Sequence, residues 1–171
     1  MPTFNASNAQ CRVFTQKEGF LSAIAHDLAI EVQAFTISVN GDFVSASIQA
    51  NSLSVLYATK DGNPIEALSE KDKLEIKGNI AKDVLLAAKH PEITFASTAV
   101  QRDASDIWVE GNLGLHGVTR SIRFRVVAAG DTYVAEIPIH QPDFGIKPYT
   151  AMLGALKVKA DLTVRVTLPR L

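Results

Sequence analysis

The stretch "ALKVKADLTVRVTL" (155–168) places Leu156, Val158, Ala160, Leu162, Val164, Val166 and Leu168 on one face. Lys157, Lys159, Asp161, Thr163, Arg165 and Thr167 fall on the other. Successive side chains of an extended strand point to opposite sides, so this period of two predicts one long strand with a dry and a wet face. A dry strand face has to be covered, and the rest of the chain supplies the cover. "HDLAIEVQA" sets Leu28, Ile30 and Val32 against Glu31 and Gln33, and "DFVSASIQA" sets Val44, Ala46 and Ile48 against Ser45, Ser47 and Gln49. Similar runs follow at "EITFAST", "DIWVEGNLGL", "SIRFRVVA" and "TYVAEIPIH".

Turn chemistry separates these runs. Asn40-Gly41 in "VNGD" is the strongest hairpin signal, "AAGDT" (128–132) is a second Gly-Asp turn, and "QRDASD" (101–106) is a polar loop. Strands joined by short turns pair antiparallel, and about eight of them can close into an up-and-down barrel. A sandwich produces the same pattern. One segment departs from period two: in "LSEKDKLEIKGNIAKDVLLAAKHPEI" (68–93) Ile80, Val84, Leu85 and Ala88 recur at helical spacing. Ser69 is the expected N-cap with Asp72 three residues on, Gly78 is expected to divide the stretch, and Pro91 biases its predecessor away from helix. This predicts a helical insertion over about 69–89. The 171 residues show no repeat and no linker, so residues 1–171 are read as one domain.

Composition excludes several functions. With a net charge of −1 and scattered Lys and Arg, nothing resembles a phosphate-binding surface, so nucleic acid is not an expected partner. Cys11 is the single cysteine, which rules out an internal disulfide and a cysteine-zinc site. "MPTFNASNAQ" has neither a basic nor an apolar signal region, and no stretch reaches the roughly 20 apolar residues of a spanning helix. The sequence as it stands predicts a soluble, cytoplasmic protein, or a periplasmic one if a signal has been removed.

The four histidines, His26, His90, His116 and His140, lack the local spacings of metal ligands, and no metal site is predicted. There is no G-x-S-x-G elbow and no phosphate-cradling glycine loop, so no catalytic residues are assigned. What remains is the apolar face. Small inward residues (Ala46, Gly111, Ala160) leave room inside an eight-stranded barrel, where a filled core and a cavity for one small ligand are both compatible with the pattern. Burial of a chain is worth roughly 0.8 kcal/mol per CH₂, so a long apolar tail can bind without a polar anchor.

"HPEITFAST" (90–98), then "VEGNLGLHGVTRSIRFRV" (109–126), "DFGI" (143–146) and the final "LKVKADLTVRV" occur in the order and spacing of the YceI-like, or polyisoprenoid-binding, family. The sequence resembles that family from about residue 11 to its end. The resemblance implies a lipocalin-like antiparallel barrel with a helical segment and no catalytic residues. It further implies an interior pocket for an isoprenoid chain, such as a polyprenyl or quinone tail, and a tendency to form homodimers. No cofactor is implied beyond such a bound lipid. Many relatives are exported, and the opening "CRVFTQKEGFLSAIAHDLAIEV" reads like an "HDL" branch rather than the commoner one with a tryptophan.

Strand parity then assigns the pocket to Leu28, Ile30, Val32, Ile48, Phe95, Val109, Leu113, Phe124, Leu156, Val158 and Leu162, with Phe144 guarding one end. His116 is read as a strand-corner residue bonded to nearby backbone, and His26, His116 and Thr119 are the candidates for contact with a lipid headgroup. Two other functions remain in view: a packed, stress-related scaffold barrel, and a small hydrolase or isomerase using His26 and His116 with Asp27 or Asp143.

Overall fold

The computed structural model describes residues 1–18, 26–151, 154 and 156–170, without the Leu156 side chain. In chain order the strands are β1 (Thr3–Asn5), β2 (Gln10–Thr15), β3 (Lys17–Glu18), β4 (Asp27–Val32), β5 (Phe35–Asn40), β6 (Phe43–Gln49), β7 (Leu53–Lys60) and β8 (Asn63–Ile65). After one helix come β9 (Glu92–Arg102), β10 (Asp106–Leu115), β11 (Val118–Ala129), β12 (Thr132–His140), β13 (Thr150–Ala151), β14 (Leu156–Val158) and β15 (Asp161–Pro169). Twelve of them form one antiparallel sheet in the order β1-β5-β6-β9-β10-β11-β12-β15-β2-β4-β7-β8, and β13-β14-β3 form a small second sheet.

The large sheet curls into a half-barrel around its dry face, the mainly β fold with one helix that the alternation calls for. The strand count exceeds eight because short strands such as β1, β3, β8, β13 and β14 join the long ones. The ladder runs from β1 at one edge to β8 at the other, where Pro64, which has no N–H to donate, suits an edge. A corner brings the two halves together. The Gln33 N–H donates to Ser52 O (2.9 Å), Gln49 N–H to Ala34 O (2.9 Å) and Ala50 N–H to Pro91 O (2.9 Å), while the buried Ser52 hydroxyl donates to Gln49 O at 2.7 Å.

Three local expectations need correction. The final run is two strands, not one. Between β14 and β15 the Lys159 N–H turns to Gln16 O (2.8 Å), and the Ala160 carbonyl accepts from Gln141 N–H (2.9 Å), so these two residues leave the ladder. The helix α1 (Glu70–Asn79) passes through Gly78 undivided and continues as a wider π turn over Ile80–Val84. It ends well before Lys89, because Leu86 adopts a left-handed φ of 48° and its carbonyl accepts from both Lys89 and His90 N–H. Its start is as expected: Ser69 Oγ accepts from Asp72 N–H (3.1 Å) and the Asp72 carboxylate accepts from Ser69 N–H (2.9 Å). Those bonds to Ser69 hold the Asp72 carboxyl below its usual range. Finally, the β5–β6 hairpin closes on Asn40 and Phe43, so Gly41 (φ 61°) takes the first central place of the turn rather than the second.

Among the described residues no helix is long and apolar enough to cross a membrane.

Candidate functional site

Inside the curl lies a cavity of about 650 Å³. Strand parity builds its wall. Leu28, Ile30 and Val32 of β4, Ile48 of β6, Phe95 of β9, Val109 and Leu113 of β10, Phe124 of β11, Val158 of β14 and Leu162 of β15 all line it, as do Val164, Val166 and Leu168 further along β15. The side chain of Leu156 lies outside the described residues. One bulge resets the pattern: Glu110 faces Ala99 but Gly111 faces Ser97, leaving Thr98 as the extra residue of β9. Inward residues of β9 are therefore Ile93 and Phe95 before the bulge and Val100 and Arg102 after it.

Gly111 does not leave room for a ligand. A Cβ built there would lie 2.5 Å from the Phe95 ring and 2.5 Å from Ala96 O, so the missing side chain is the space into which Phe95 folds. The Phe95 ring also packs on Phe124, with centroids 5.6 Å apart. Cys11 faces the cavity too. Burial pushes its thiol up to about 12, so it stays protonated and acts as a small apolar wall residue.

One end of the cavity is covered by the helix. Ile76, Asn79 and Ile80 of α1 and its extension, with Val84 and Leu85, line it, and a chain of bonds ties them to the small sheet. Asn79 Nδ2 donates to the Tyr149 hydroxyl (3.3 Å), Val158 N–H to Tyr149 O (3.0 Å), and Gln141 Nε2 to Lys159 O (3.1 Å). Tyr149 and Gln141 are wall residues, Gln141 being only 4% exposed. The opposite end carries Gly41, Arg102 and Tyr133. There Arg102 Nε pairs with Asp42 Oδ1 at 3.3 Å, and the Arg170 guanidinium stacks 5.5 Å from the Tyr133 ring.

Phe144 stands off the wall. It sits on the short helical turn Gln141–Phe144, is 3% exposed and belongs to the buried hydrophobic core, while Ile146, two residues on, takes the lining place. His116 is a corner residue. With Gly117 it forms the two-residue turn between β10 and β11, both at positive φ (55° and 74°), the arrangement of a type I′ hairpin. Its Nδ1 lies 3.1 Å from the Phe144 carbonyl, which can only accept, so Nδ1 carries the proton. Beside that bond, Arg120 Nε of β11 donates to Asp143 O at 2.7 Å, so the turn and the start of β11 latch the 141–146 segment at the helix-covered end.

The His90 ring packs on His116 with centroids 4.8 Å apart, and a Cβ at residue 117 would meet His90 Cε1 at 2.7 Å. Desolvation lowers the His90 pKa, with His116 and then Lys89 adding to it. Neither His26 nor Thr119, both exposed, lines the cavity, and Asp27 Oδ1 is taken by the Lys17 N–H at 2.7 Å. His26 and His116 therefore do not converge on the cavity wall.

Sequence reasoning missed the His90–His116 pair, Arg102, Gln141, Tyr149 and the helical wall. Only the last had a signal, the spacing of Ile76, Ile80 and Val84.

A protein-family model described as the YceI-like domain matches residues 4–169. The chain belongs to the YceI-like domain family. It is 29% identical to Protein YceI from an Escherichia coli strain, over 85% of this chain and 87% of that one. Among solved structures it is similar to Burkholderia cenocepacia BcnA, with a TM-score of 0.66 at 16% identity over 94% of each chain. It is also similar to a polyisoprenoid binding domain from Saccharophagus degradans, with a TM-score of 0.63 at 13% identity, covering 97% of this chain and 94% of that one. At those identities the structural likeness is one of fold.

Proposed function

We propose that this YceI-like protein is a non-catalytic binding protein that encloses the apolar chain of an isoprenoid, polyprenyl or quinone-like, or of a similar amphiphilic lipid. The observation that carries this reading is the cavity itself: about 650 Å³ of space walled by aliphatic and aromatic side chains from the strands and the helix. Protein interiors are normally packed with few voids larger than a water molecule, so a space of this size argues for an occupant and against a filled scaffold barrel. The polyisoprenoid-binding relative of the same fold supports an extended isoprenoid chain as that occupant. A hydrolase or isomerase built on His26 and His116 draws no support from side chains that stand off the wall.

The test is to fill the space. Val158→Trp or Ile30→Trp adds bulk from two sides of the cavity. In a packed core such a change costs about 1–3 kcal/mol, whereas a cavity accommodates it. The expected result is a folded protein, by circular dichroism, whose lipid content and uptake fall by more than about tenfold. Unchanged lipid content in both variants would count against this cavity as the binding site.

A further inference from the structure

The two ends of the cavity differ in what they offer a polar headgroup, and resting on the reading above, we infer that the helix-covered end is a headgroup subsite for an uncharged oxygen, a hydroxyl or a carbonyl, and that it selects against phosphates. The subsite is the juxtaposition of Tyr149 and Asn79 on the cavity wall. Asn79 Nδ2 donates to the Tyr149 oxygen at 3.3 Å, so that hydroxyl is engaged as an acceptor and its own O–H is left to donate. The Tyr149 backbone is fixed by the bond from Val158 N–H to its carbonyl, so the phenol is held beside a wall strand and not on a free loop. Tyr149 is 36% exposed and its bond to Asn79 is an exposed one, so this wall residue stands where the cavity meets solvent, as the head of an amphiphile requires.

Charge decides the class of head. Among the described residues Arg102 is the sole charged side chain on the wall, it lies at the opposite end, and it is already paired with Asp42. The placement of Arg102 follows from register: it pairs with Ile107, Ile107 with Val126 and Val126 with Ala135, far along these strands from the His116 turn and the 141–146 segment. Lysines do occur near the helix end, but Lys147, Lys157 and Lys159 are exposed, and neither they nor Lys77 is a wall residue. A phosphate drawn against Tyr149 and Asn79 would lose hydration with no cation on the wall at that end to compensate, whereas a neutral oxygen needs only the donated hydrogen bond.

A matched series of twenty-carbon isoprenoids tests this by equilibrium binding: geranylgeraniol, a quinone bearing the same tail, geranylgeranyl diphosphate, and the headless hydrocarbon phytane, each against the wild-type chain and Tyr149→Phe. The alcohol or the quinone should bind more tightly than phytane, and the diphosphate at least about tenfold more weakly than the better of those two. Tyr149→Phe should weaken that neutral ligand about three- to tenfold while leaving phytane unchanged. The alcohol and quinone arms separate a hydroxyl head from a carbonyl one. A diphosphate bound as tightly as the neutral heads, or a Tyr149→Phe effect that is absent or equal for phytane, would overturn the subsite while leaving the lipid-binding reading standing. Failure of all four ligands, phytane included, would overturn that reading and the subsite with it.

Discussion

The cavity is finished differently at its two ends. At the strand-turn end the polar groups are satisfied on the surface: Arg102 and Asp42 form an ion pair with both side chains more than half exposed (55% and 72%), and Arg170 lies over the Tyr133 ring. At the helix end Gln141 and the Asn79–Tyr149 pair stand on the wall, and the His116 contact lies just off it. Gln141 is nearly fully buried with its amide on Lys159 O, Asn79 reaches Tyr149, and His116 holds the Phe144 carbonyl. A hydrogen bond between buried groups is costly to leave half-made, whereas an exposed ion pair exchanges readily with water and salt. The helix end is thus the more specified of the two, built from segments distant in sequence, and the strand-turn end is held by the hairpins themselves.

That contrast can be broken by deleting one contact at each end. Gln141→Ala removes the buried donor and leaves Lys159 O unpaired, which should destabilise the protein by about 1–3 kcal/mol in urea denaturation. Asp42→Asn removes the exposed pair and should cost no more than about 1 kcal/mol, a difference that shrinks in high salt. Equal costs would erase the distinction between the ends. Acid sharpens it. The native fold holds His90 below the ordinary histidine value of 6.5, so as pH falls through that value the unfolded chain takes up a proton that the native state resists. Stability contributed at this site is therefore present above that pH and lost below it. Between about pH 7.5 and about pH 5.5 the wild type should lose more stability than His90→Gln does, read as the difference between their denaturation midpoints. Superimposable pH profiles would show that the His90–His116 contact does not report on this end.

Much of the wall is legible in the sequence because period two is a backbone property: Leu28, Ile30 and Val32, or Val109 and Leu113, face inward wherever the strand is regular. The bulge at Thr98 shows where that logic stops. One extra residue flips the faces of β9, so Arg102 arrives on the wall against the parity of Phe95. The long final alternation likewise does not reveal its interruption, since the bonds that pull Lys159 and Ala160 out of the ladder come from Gln16 and Gln141, remote in sequence. Gly111 was legible as small but not as the seat of Phe95, and His116 was legible as a corner but not as a partner of His90. In each case the missing information is a contact between segments, which no local spacing encodes.

The central claim, that the cavity encloses a lipid chain, is tested most directly by native mass spectrometry of the purified protein, with solvent extraction of whatever it releases and, for any empty fraction, exposure to an added polyprenol. The expected result is a stoichiometric added mass that extracts as an apolar isoprenoid, or uptake of the polyprenol at one molecule per chain. A protein that is empty when purified and stays empty with the polyprenol present would contradict it.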